Sequence, residues 1–397
     1  MSRAADRIAV SKPYIFQTMN EMKNEAVARG VDVIDLGVGN PDLRPAPSVI
    51  QALHEALDDP AHQNHRYPPF DGLPEFRQAI SQWYDARFGV PIDPKTEALP
   101  CIGTKEGIAH LYLALLNPGD TVLVPTPCYP AYLGAAGIAQ ADVVEMPLLE
   151  KNKFRVDVNA IPADKARRAK LMLVNYPGNP TGACCDLDHY REILRFADEH
   201  DIIVASDIAY ADLGLEPDAP TPSFLQLPEA RGRTVEFYSF SKTYSMPGWR
   251  VGFMAGNAEV VKLLLKVKSN LDFGVFMAVQ RAAAKILTGS RAPIQEAVAV
   301  YRSRRDAMVR GLHECGWDVA VPQATLYLWT RIPEGFKDST SFMKRMFEET
   351  GILISPGVGF GQAGEGFVRI SLIIDEKRTR EVVKRIQESG ILAAKVR

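Results

Sequence analysis

The feature of this sequence that most restricts its fold is a series of short apolar segments separated by amphipathic stretches. The apolar segments have the length of buried strands, and stretches such as 104–117 and 187–200 have helical periodicity. Strands that are apolar throughout are typical of a mainly parallel sheet covered by helices on both faces. The predicted strands are 121–124, 171–175, 202–206, 235–239 and 251–255.

The two ends of the chain have a different pattern. Residues 1–30 are predicted to form an arm followed by a helix, and 31–45 contain a short strand that runs into a turn. Residues 277–314 have long helical character, and the remainder alternates strand-like and helical runs. We therefore predict a smaller α+β domain beside the main sheet.

A glycine pattern near the C-terminus needs separate treatment. Residues 359–364 (GFGQAG) fit the GxGxxG pattern of dinucleotide-binding proteins. That pattern requires a strand before it and a helix after it. Here a second strand-like run, 367–373, follows, so we interpret the segment as a glycine-rich turn between strands.

Composition excludes several classes of protein. The 397 residues carry a formal net charge of -2, which gives no general attraction to nucleic acid or to an anionic membrane. The five cysteines have no paired spacing, and neither CxxC nor HExxH occurs, so we expect neither a disulfide framework nor a metal site. No apolar run reaches 18 residues, and we expect a cytoplasmic protein.

One segment combines a lysine with several hydroxyl groups and an arginine. In residues 239–250 (SFSKTYSMPGWR), Lys242 follows Ser241, and Arg250 comes eight residues after Lys242. An ammonium with an ordinary pKa of about 10.4 is a poor nucleophile, so a reactive lysine must be desolvated or close to positive charge. Arg250 could supply that charge and also bind a phosphate. The segment suits a lysine that condenses with a phosphorylated aldehyde cofactor, and it equally suits a surface loop.

Two further segments combine a turn with a polar side chain. Gly103 and Thr104 precede an apolar-periodic helix, and the N-terminus of a helix suits a phosphate. Thr104 as a simple N-cap is the alternative. Asn179 lies in a proline-rich turn (YPGNPTG) after a predicted strand, where its amide could hold a cofactor oxygen or merely shape the turn.

Two charged residues lie in apolar strand patterns. Asp207 closes a predicted strand, and a buried carboxylate is costly without a partner. A protonated pyridine nitrogen would be such a partner, and Tyr210 could reach the phenolic side of the same ring. Arg369 should meet an anion, which could be the carboxylate of a ligand or of a structural salt bridge.

In their order and approximate spacing, these segments resemble the class I/II aminotransferases of the pyridoxal-phosphate fold-type I superfamily. The resemblance runs from residues 36–42 (LGVGNPD) to 368–370 (VRI). It implies an α/β fold with a mainly parallel seven-stranded sheet sandwiched by helices, plus a smaller α+β domain. The implied domains are 1–45 (arm and part of the small domain), 46–285 (large cofactor-binding domain) and 286–397 (small C-terminal domain).

The resemblance also implies which residues bind pyridoxal 5'-phosphate. Lys242 would bond covalently to its aldehyde, Asp207 would partner the pyridine nitrogen, and Lys242, Asp207 and Tyr210 would be the catalytic residues. Asn179 and Tyr210 would hold the phenolic oxygen, and Tyr129 would stack on the ring. The residues implied to bind the phosphate are Gly103, Thr104, Lys105, Ser239, Ser241 and Arg250.

For the substrate, the resemblance implies that Arg369 binds the α-carboxylate, helped by Asn179 and the backbone of Gly39. Tyr67 would reach the cofactor phosphate of a neighbouring subunit, which implies a homodimer with shared active sites. Lys242 would remove the Cα proton, and two half-reactions with an amino acid and a 2-oxo acid would give ping-pong kinetics.

Within the family, the chain most resembles the branch that contains bacterial LL-diaminopimelate and glutamate–pyruvate (alanine) aminotransferases. Residues 103–107 (GTKEG), 268–270 (KSN) and 355–361 (SPGVGFG) carry that likeness. Plant-type diaminopimelate enzymes have a glutamate where this chain has Phe70, and an apolar substrate-binding residue there favours a small side chain. We therefore expect transfer between alanine/pyruvate and glutamate/2-oxoglutarate. LL-diaminopimelate is the alternative donor, and an aspartate aminotransferase or a fold-type I lyase is less favoured.

Overall fold

A computed structural model describes residues 5–9, 15–219 and 221–392. The strands are β1 (Ile34–Asp35), β2 (Ala98–Cys101), β3 (Thr121–Thr126), β4 (Asp142–Pro147), β5 (Ala169–Asn175), β6 (Ile203–Asp207), β7 (Thr234–Ser239), β8 (Gly252–Gly256), β9 (Tyr327–Arg331), β10 (Ile352–Leu353), β11 (Ser355–Pro356) and β12 (Phe367–Ser371). The helices are α1 (Asp6–Ala9), α2 (Ile15–Ala28), α3 (Pro47–Asp58), α4 (Pro74–Phe88), α5 (Thr104–Leu115), α6 (Ala131–Ile138), α7 (Ala163–Ala166), α8 (Leu187–Glu199), α9 (Phe240–Thr243), α10 (Ala258–Leu271), α11 (Met277–Leu287), α12 (Ala292–Glu314), α13 (Ser339–Thr350) and α14 (Glu376–Ser389).

Seven strands form one mainly parallel sheet, in the order β2-β8-β7-β6-β5-β3-β4. Strands β3 to β7 run parallel to their neighbours within this group, whereas β8 is antiparallel to both β2 and β7. This arrangement confirms the predicted α/β class. The five predicted strands correspond to β3, β5, β6, β7 and β8, with ends that agree to within two residues.

Helices cover both faces of this sheet. Successive side chains along a strand point to opposite faces, so each strand contributes to a buried cluster on either side. On one face, Met172 and Val204 pack in the same buried cluster as Trp83 of α4. On the other, Leu171 packs in the same cluster as Leu111 of α5. Full burial of such a side chain stabilises a fold by about 1.5–3 kcal/mol. The packing of helices against both faces therefore holds the sheet in place.

A second, smaller core lies beside the large sheet. The antiparallel strands β11-β12-β9 and the parallel pair β1-β10 pack here with α2, α13 and α14. Helix α12 joins the two cores, since Ile294 near its start belongs to the large one and Leu312 near its end to the small one. The domain limits after residues 45 and 285 stay predictions.

Three details differ from the sequence pattern or lie outside the described residues. The helical stretch 277–314 is two helices, α11 and α12, separated by a turn around Gly289. The strand predicted within 31–45 is only two residues long, and part of the predicted arm (1–4 and 10–14) lies outside the described residues. Residues 359–364 form a turn that leads into β12, as predicted.

In the described part of the chain, no helix is both long and apolar enough to cross a membrane.

Candidate active site

The carboxyl ends of three neighbouring parallel strands bring polar residues side by side. Strands β5, β6 and β7 end at Asn175, Asp207 and Ser239. Ligands of open α/β sheets bind at this edge. A cavity of about 380 Å³ opens there. The residues that line it are Val38, Gly39, Asn40, Thr104, Lys105, Tyr129, Tyr132, Asn175, Asn179, Asp207, Ala209, Tyr210, Ser239, Ser241, Lys242, Pro247, Arg250, Tyr327 and Arg369.

Most of the predicted site residues therefore share one cavity. Of the predicted cofactor residues, Gly103 and Tyr67 do not line it, and of the predicted substrate residues, Tyr67 and Phe70 do not. Gly103 nevertheless lies directly against Arg250, one of the lining residues. The shared cavity shows only where the predicted site residues lie, and the role of each residue stays a prediction.

Lys242 reaches this cavity from α9, the short helix that begins directly after β7. Its Nζ donates a 2.6 Å hydrogen bond to the carbonyl oxygen of Gly39. Burial lowers the pKa of Lys242, and the positive charges of Arg369 and Arg250 act in the same direction. A lowered pKa increases the fraction of neutral amine, which is the form that acts as nucleophile or base.

Asp207 is a buried carboxylate with uncharged hydrogen-bond donors. Its Oδ2 accepts a 2.6 Å hydrogen bond from the hydroxyl of Tyr132, and its Oδ1 accepts one of 3.0 Å from the N–H of Ala209. Burial raises the pKa of Asp207 to about 6, although both hydrogen bonds oppose this shift. At neutral pH the group is thus ionised and would gain from a cationic partner.

The turn between β2 and α5 forms a cradle for an anion. Gly103 has a φ of +78°, and a Cβ there would lie 2.4 Å from Nη2 of Arg250. Arg250 itself donates to the carbonyl oxygens of Pro247 at 2.9 Å and Ile102 at 3.3 Å. The helix N-terminus and the guanidinium therefore serve the same corner of the cavity, a combination that suits a phosphate. The hydroxyl groups that line this cavity as well belong to Thr104, Ser239 and Ser241.

A buried network of charges holds this turn in place. Glu106 accepts hydrogen bonds from the N–H of Ile102 at 2.8 Å and from Nζ of Lys268 at 2.7 Å. Lys268 also donates to Asp272 at 3.3 Å. The ligand atoms of Glu106, His110 and Asp272 lie within 4.8 Å of one another, as in a metal site, but the ammonium of Lys268 already pairs with both carboxylates. Lys268, from the KSN motif, thus stabilises the cradle through Glu106.

On the opposite side of the cavity, Arg369 of β12 meets the loop after β5. Its Nη1 donates to Oδ1 of Asn179 at 2.9 Å, and its Nη2 donates to the carbonyl oxygen of Gly37 at 2.5 Å. Asn175 in turn accepts a 2.8 Å hydrogen bond from the N–H of Asn179. These contacts fix a buried guanidinium at the cavity wall, where it suits the carboxylate of a ligand.

Two phenols face each other in the wall between Asp207 and Arg369. The hydroxyl of Tyr210, which follows β6, lies 3.0 Å from the hydroxyl of Tyr327 on β9. Both side chains are buried and line the cavity.

Three lining residues whose side chains hydrogen-bond to predicted site residues were not themselves among the sequence predictions. Asn175 is a polar residue at the end of an apolar strand, so the rule that identified Asp207 could have found it. Tyr132 lies in the first turn of α6, and its ring meets that of Tyr129 edge to face at a centroid distance of 5.7 Å. Its closeness in sequence to the predicted Tyr129 is the signal that could have found it. Tyr327 has no such local signal, because an aromatic residue in an apolar strand pattern predicts a core position.

Tyr67 and Phe70 lie on the surface, away from the cavity of their own chain. Tyr67 is 77% exposed and Phe70 is 45% exposed. Both rings contact Phe273, at centroid distances of 4.3 and 5.5 Å. A single chain therefore does not bring these two residues to the site, and the predicted role of Tyr67 in a neighbouring subunit stays a prediction.

The arrangement fits pyridoxal phosphate. It offers a lysine of lowered pKa, a buried carboxylate whose hydrogen-bond donors are neutral, and an anion cradle that a side chain at Gly103 would fill. These are the groups needed to hold an aldehyde, a pyridinium nitrogen and a phosphate, respectively.

Comparison with known proteins gives matches along almost the whole chain. The family model for aminotransferase class I and II matches residues 31–386. The LL-diaminopimelate aminotransferase of Nitratidesulfovibrio vulgaris (strain Hildenborough) is 46% identical over 384 residues, which cover 97% of this chain and 98% of that protein. The solved structure of substrate-bound BacF from Bacillus subtilis has a TM-score of 0.94 at 35% identity, over 98% of each chain. A probable N-succinyldiaminopimelate aminotransferase from Thermus thermophilus has a TM-score of 0.88 at 40% identity, over 94% of this chain and 100% of that one.

Proposed function

Because this chain belongs to the class I and II aminotransferases, which depend on pyridoxal phosphate, we propose that it transfers the amino group of LL-diaminopimelate to a 2-oxo acid. The observation that supports this donor is the 46% identity to the Nitratidesulfovibrio vulgaris enzyme over 97% of the chain. It favours LL-diaminopimelate over alanine and pyruvate, the pair that the sequence analysis preferred. We propose 2-oxoglutarate as the acceptor.

The residues of the cavity would hold the cofactor. Arg250 and the N-terminus of α5 would bind the phosphate, and Asp207 would hold the ring nitrogen as a cation. Asn179 and Tyr210 would hold the phenolic oxygen, and Tyr129 would lie against the ring. When bound, pyridoxal phosphate supplies an aldehyde that captures the amino group and a protonated ring that withdraws electrons from Cα.

The substrate would be bound and deprotonated from two sides. Arg369, fixed by hydrogen bonds to Asn179 and to the carbonyl of Gly37, would bind the α-carboxylate through its guanidinium group. Lys242 would take the proton from Cα as a neutral amine, a form that its lowered pKa favours. The carbonyl of Gly39 accepts a hydrogen bond from Lys242 and so orients the amine. In the second half-reaction, the same Nζ would deliver a proton to the α-carbon that comes from the 2-oxo acid.

The distal end of the substrate decides between the two candidate donors. LL-diaminopimelate differs from alanine by a distal ammonium and a distal carboxylate. The implied phosphate contact of Lys105 is through its backbone amide, whereas its exposed, positively charged side chain lines the cavity and suits the distal carboxylate. Phe70 offers no charge, but it lies outside the cavity of its own chain, so its apolar character affects substrate choice only through a neighbouring subunit.

We also propose a homodimer, which an exposed group of aromatic residues supports. This aromatic patch consists of Tyr67, Phe70, Phe273 and Phe276, which are 77, 45, 50 and 41% exposed. Adjacent exposed apolar side chains mark surfaces that associate. A second copy of the chain would cover the aromatic patch and carry Tyr67 to the neighbouring cavity.

A comparison of amino donors tests the proposed reaction. The protein, loaded with pyridoxal phosphate, is given LL-diaminopimelate, N-succinyl-LL-diaminopimelate, alanine or aspartate together with 2-oxoglutarate, and glutamate formation is measured as kcat/KM. We expect the highest value with LL-diaminopimelate, and we expect Lys105→Gln to lower it for this donor but not for alanine. A higher kcat/KM with alanine would return the assignment to alanine and pyruvate. Ammonia release without a 2-oxo acid would indicate a lyase.

A further inference from the structure

The hydroxyl of Tyr210 has a neighbour whose position fixes its hydrogen bonding. Oη of Tyr327 lies 3.0 Å from Oη of Tyr210, and the two rings meet edge to face at an interplanar angle of 70°. Tyr327 is 2% exposed and Tyr210 is 4% exposed, so water has little access to either hydroxyl. Two phenols at this distance share one hydrogen bond, and either one can be the donor.

Three features hold Tyr327 in this position. Its strand β9 pairs with β12, which places the guanidinium carbon of Arg369 4.2 Å from the centre of the Tyr327 ring. Such a cation–π contact fixes the plane of the ring. The hydroxyl passes directly over Gly39, where a Cβ would come within 2.0 Å of it. Only a glycine at position 39 therefore leaves room for this phenol.

The charges around the pair distinguish its two members. Burial raises the pKa of Tyr327, but the positive charges of Lys242 and Arg369 act in the other direction, and the net shift is downward. Burial raises the pKa of Tyr210 well above its ordinary range, and the nearby charges of Arg369 and Asp207 only partly offset one another. Tyr210 has a single hydroxyl proton, and in the proposed function it donates that proton to the phenolic oxygen of the cofactor. The hydrogen bond between the two phenols must then be donated by Tyr327.

We infer that Tyr327 is a positioning residue that aims the hydroxyl proton of Tyr210 into the cavity. By donating to the Tyr210 oxygen, Tyr327 would occupy a lone pair of that oxygen, which leaves Tyr210 to donate its own proton toward the ligand. Consecutive hydrogen bonds of this kind also polarise one another, which strengthens Tyr210 as a donor. The inference rests on the proposed function, in which Tyr210 holds the phenolic oxygen of pyridoxal phosphate.

The titration of the bound cofactor's visible absorption band tests this assignment without reference to activity. A donor at the phenolic oxygen stabilises the form in which that oxygen is negative, so loss of the donor raises the pKa of the band. We expect Tyr327→Phe to raise this pKa by about 0.5–1 unit, the size expected for one weakened hydrogen bond, and Tyr210→Phe to raise it further. If Tyr327 instead accepted from Tyr210, its removal would free the Tyr210 proton and lower the pKa, which would overturn the inference.

A double-mutant cycle separates positioning from packing. In the Tyr210→Phe background, Tyr327→Phe should leave the pKa of the band unchanged, because its effect passes through the Tyr210 hydroxyl. Tyr327→Phe keeps the ring over Arg369, so we expect KM for the amino donor to change less than twofold. The control is Tyr190→Phe, which removes another buried phenol oxygen that has no hydrogen-bond partner among the described residues. Equal shifts in both Tyr210 backgrounds would contradict the inference.

The proposed function and this inference fail in different ways. A wild-type protein that acquires no visible band with pyridoxal phosphate contradicts the proposed function. A wild-type band that shifts in Tyr210→Phe but stays in place in Tyr327→Phe leaves the proposed function intact and contradicts only the role of Tyr327.

Discussion

At the scale of single residues, the site contains two titratable groups that burial moves toward their neutral forms. Burial raises the pKa of Asp207 and lowers that of Lys242, so each charged form is costly when the cavity holds no ligand. In the proposed function, a pyridinium beside Asp207 and a covalent bond at Lys242 would relieve both costs. We therefore expect pyridoxal phosphate to stabilise the folded chain as well as to equip it for chemistry.

Replacement of Lys242 by alanine removes the amine that lies 2.6 Å from the Gly39 carbonyl. We expect Lys242→Ala to lose the visible absorbance of the bound cofactor and to lower kcat by at least about 10²-fold, because loss of a general base costs that much. Absorbance spectra and steady-state assays measure both effects. Lys262→Ala, on the exposed side of α10, is the surface control. Retained colour and turnover in Lys242→Ala would contradict the assignment.

The pKa of Asp207 predicts how cofactor binding depends on pH. With a pKa raised from 3.8 to about 6, the unliganded carboxylate must lose a proton before it pairs with a cation below that pH. We expect the Kd for pyridoxal phosphate to rise by up to about tenfold per pH unit below 6. The same shift makes the unliganded fold lose stability as pH rises from about 4 to 6 and lose no more from this group above 6.

Binding titrations of the wild type and of Asp207→Asn between pH 5 and 8 measure this dependence. The cofactor phosphate also titrates near pH ~6, but it does so in both proteins, so their difference isolates Asp207. Identical pH slopes in the two proteins would contradict the prediction.

At the scale of elements, the anion cradle depends on backbone geometry as well as on the guanidinium of Arg250. The N-terminus of α5 presents N–H groups that have no partner within the helix, and the absent side chain of Gly103 lets Arg250 approach them. The Glu106–Lys268 pair secures the same turn from behind, since Glu106 accepts from the N–H of Ile102. The turn between β2 and α5 is therefore held in place by the Glu106–Lys268 pair, and in the proposed function it would also bind the cofactor phosphate.

A pair of glycine substitutions tests this geometry. Gly103→Ala adds a Cβ 2.4 Å from Arg250 at a φ of +78°, whereas Gly89→Ala adds one at a φ of +67° with no atom within 4 Å. Both should lose stability through backbone strain, but only Gly103→Ala should displace the guanidinium. We expect its Kd for pyridoxal phosphate to rise by about 10–100-fold, as for a lost charged hydrogen bond, with no change in Gly89→Ala. An unchanged Kd in Gly103→Ala would show that Arg250 is not needed there.

At the scale of the whole molecule, the cavity lies where the two cores meet. The large core contributes Asp207 from β6 and Lys242 from α9, and the small antiparallel sheet contributes Tyr327 and Arg369 from β9 and β12. A ligand that contacts both sides must therefore hold the two cores together. In the proposed reaction the cofactor belongs to the large side, and the substrate carboxylate belongs to the small one.

The aromatic patch makes a prediction about assembly. A charge at its centre would be desolvated in a dimer, so we expect Phe273→Asp to convert a wild-type dimer to monomers, as measured by size-exclusion chromatography with light scattering. Val321→Asp places the same charge at a residue that is also about half exposed (53% against 50%) but has no place in the aromatic patch, and it should remain dimeric. Dimers of Phe273→Asp would place the interface elsewhere.

The sequence by itself determined the order of the elements and the polar residues at their ends. Side-chain periodicity is a local property, so the strands β3, β5, β6, β7 and β8 could be predicted from it. The carboxyl ends of parallel strands meet at one edge of a sheet, and this rule grouped Asp207 with the segment of Lys242. The rule could be applied to the sequence because it requires only the direction of the strands and not the packing of their side chains.

Only the tertiary structure decided which side chains touch across long separations. The contact of Tyr210 with Tyr327 joins residues 117 positions apart, and that of Lys242 with Gly39 joins residues 203 apart. No local pattern distinguishes Tyr327 from a core residue, since its apolar ring and polar hydroxyl serve different neighbours. The reason is physical: periodicity records which face of an element is buried, whereas the partner on that face is set by how the two cores pack together.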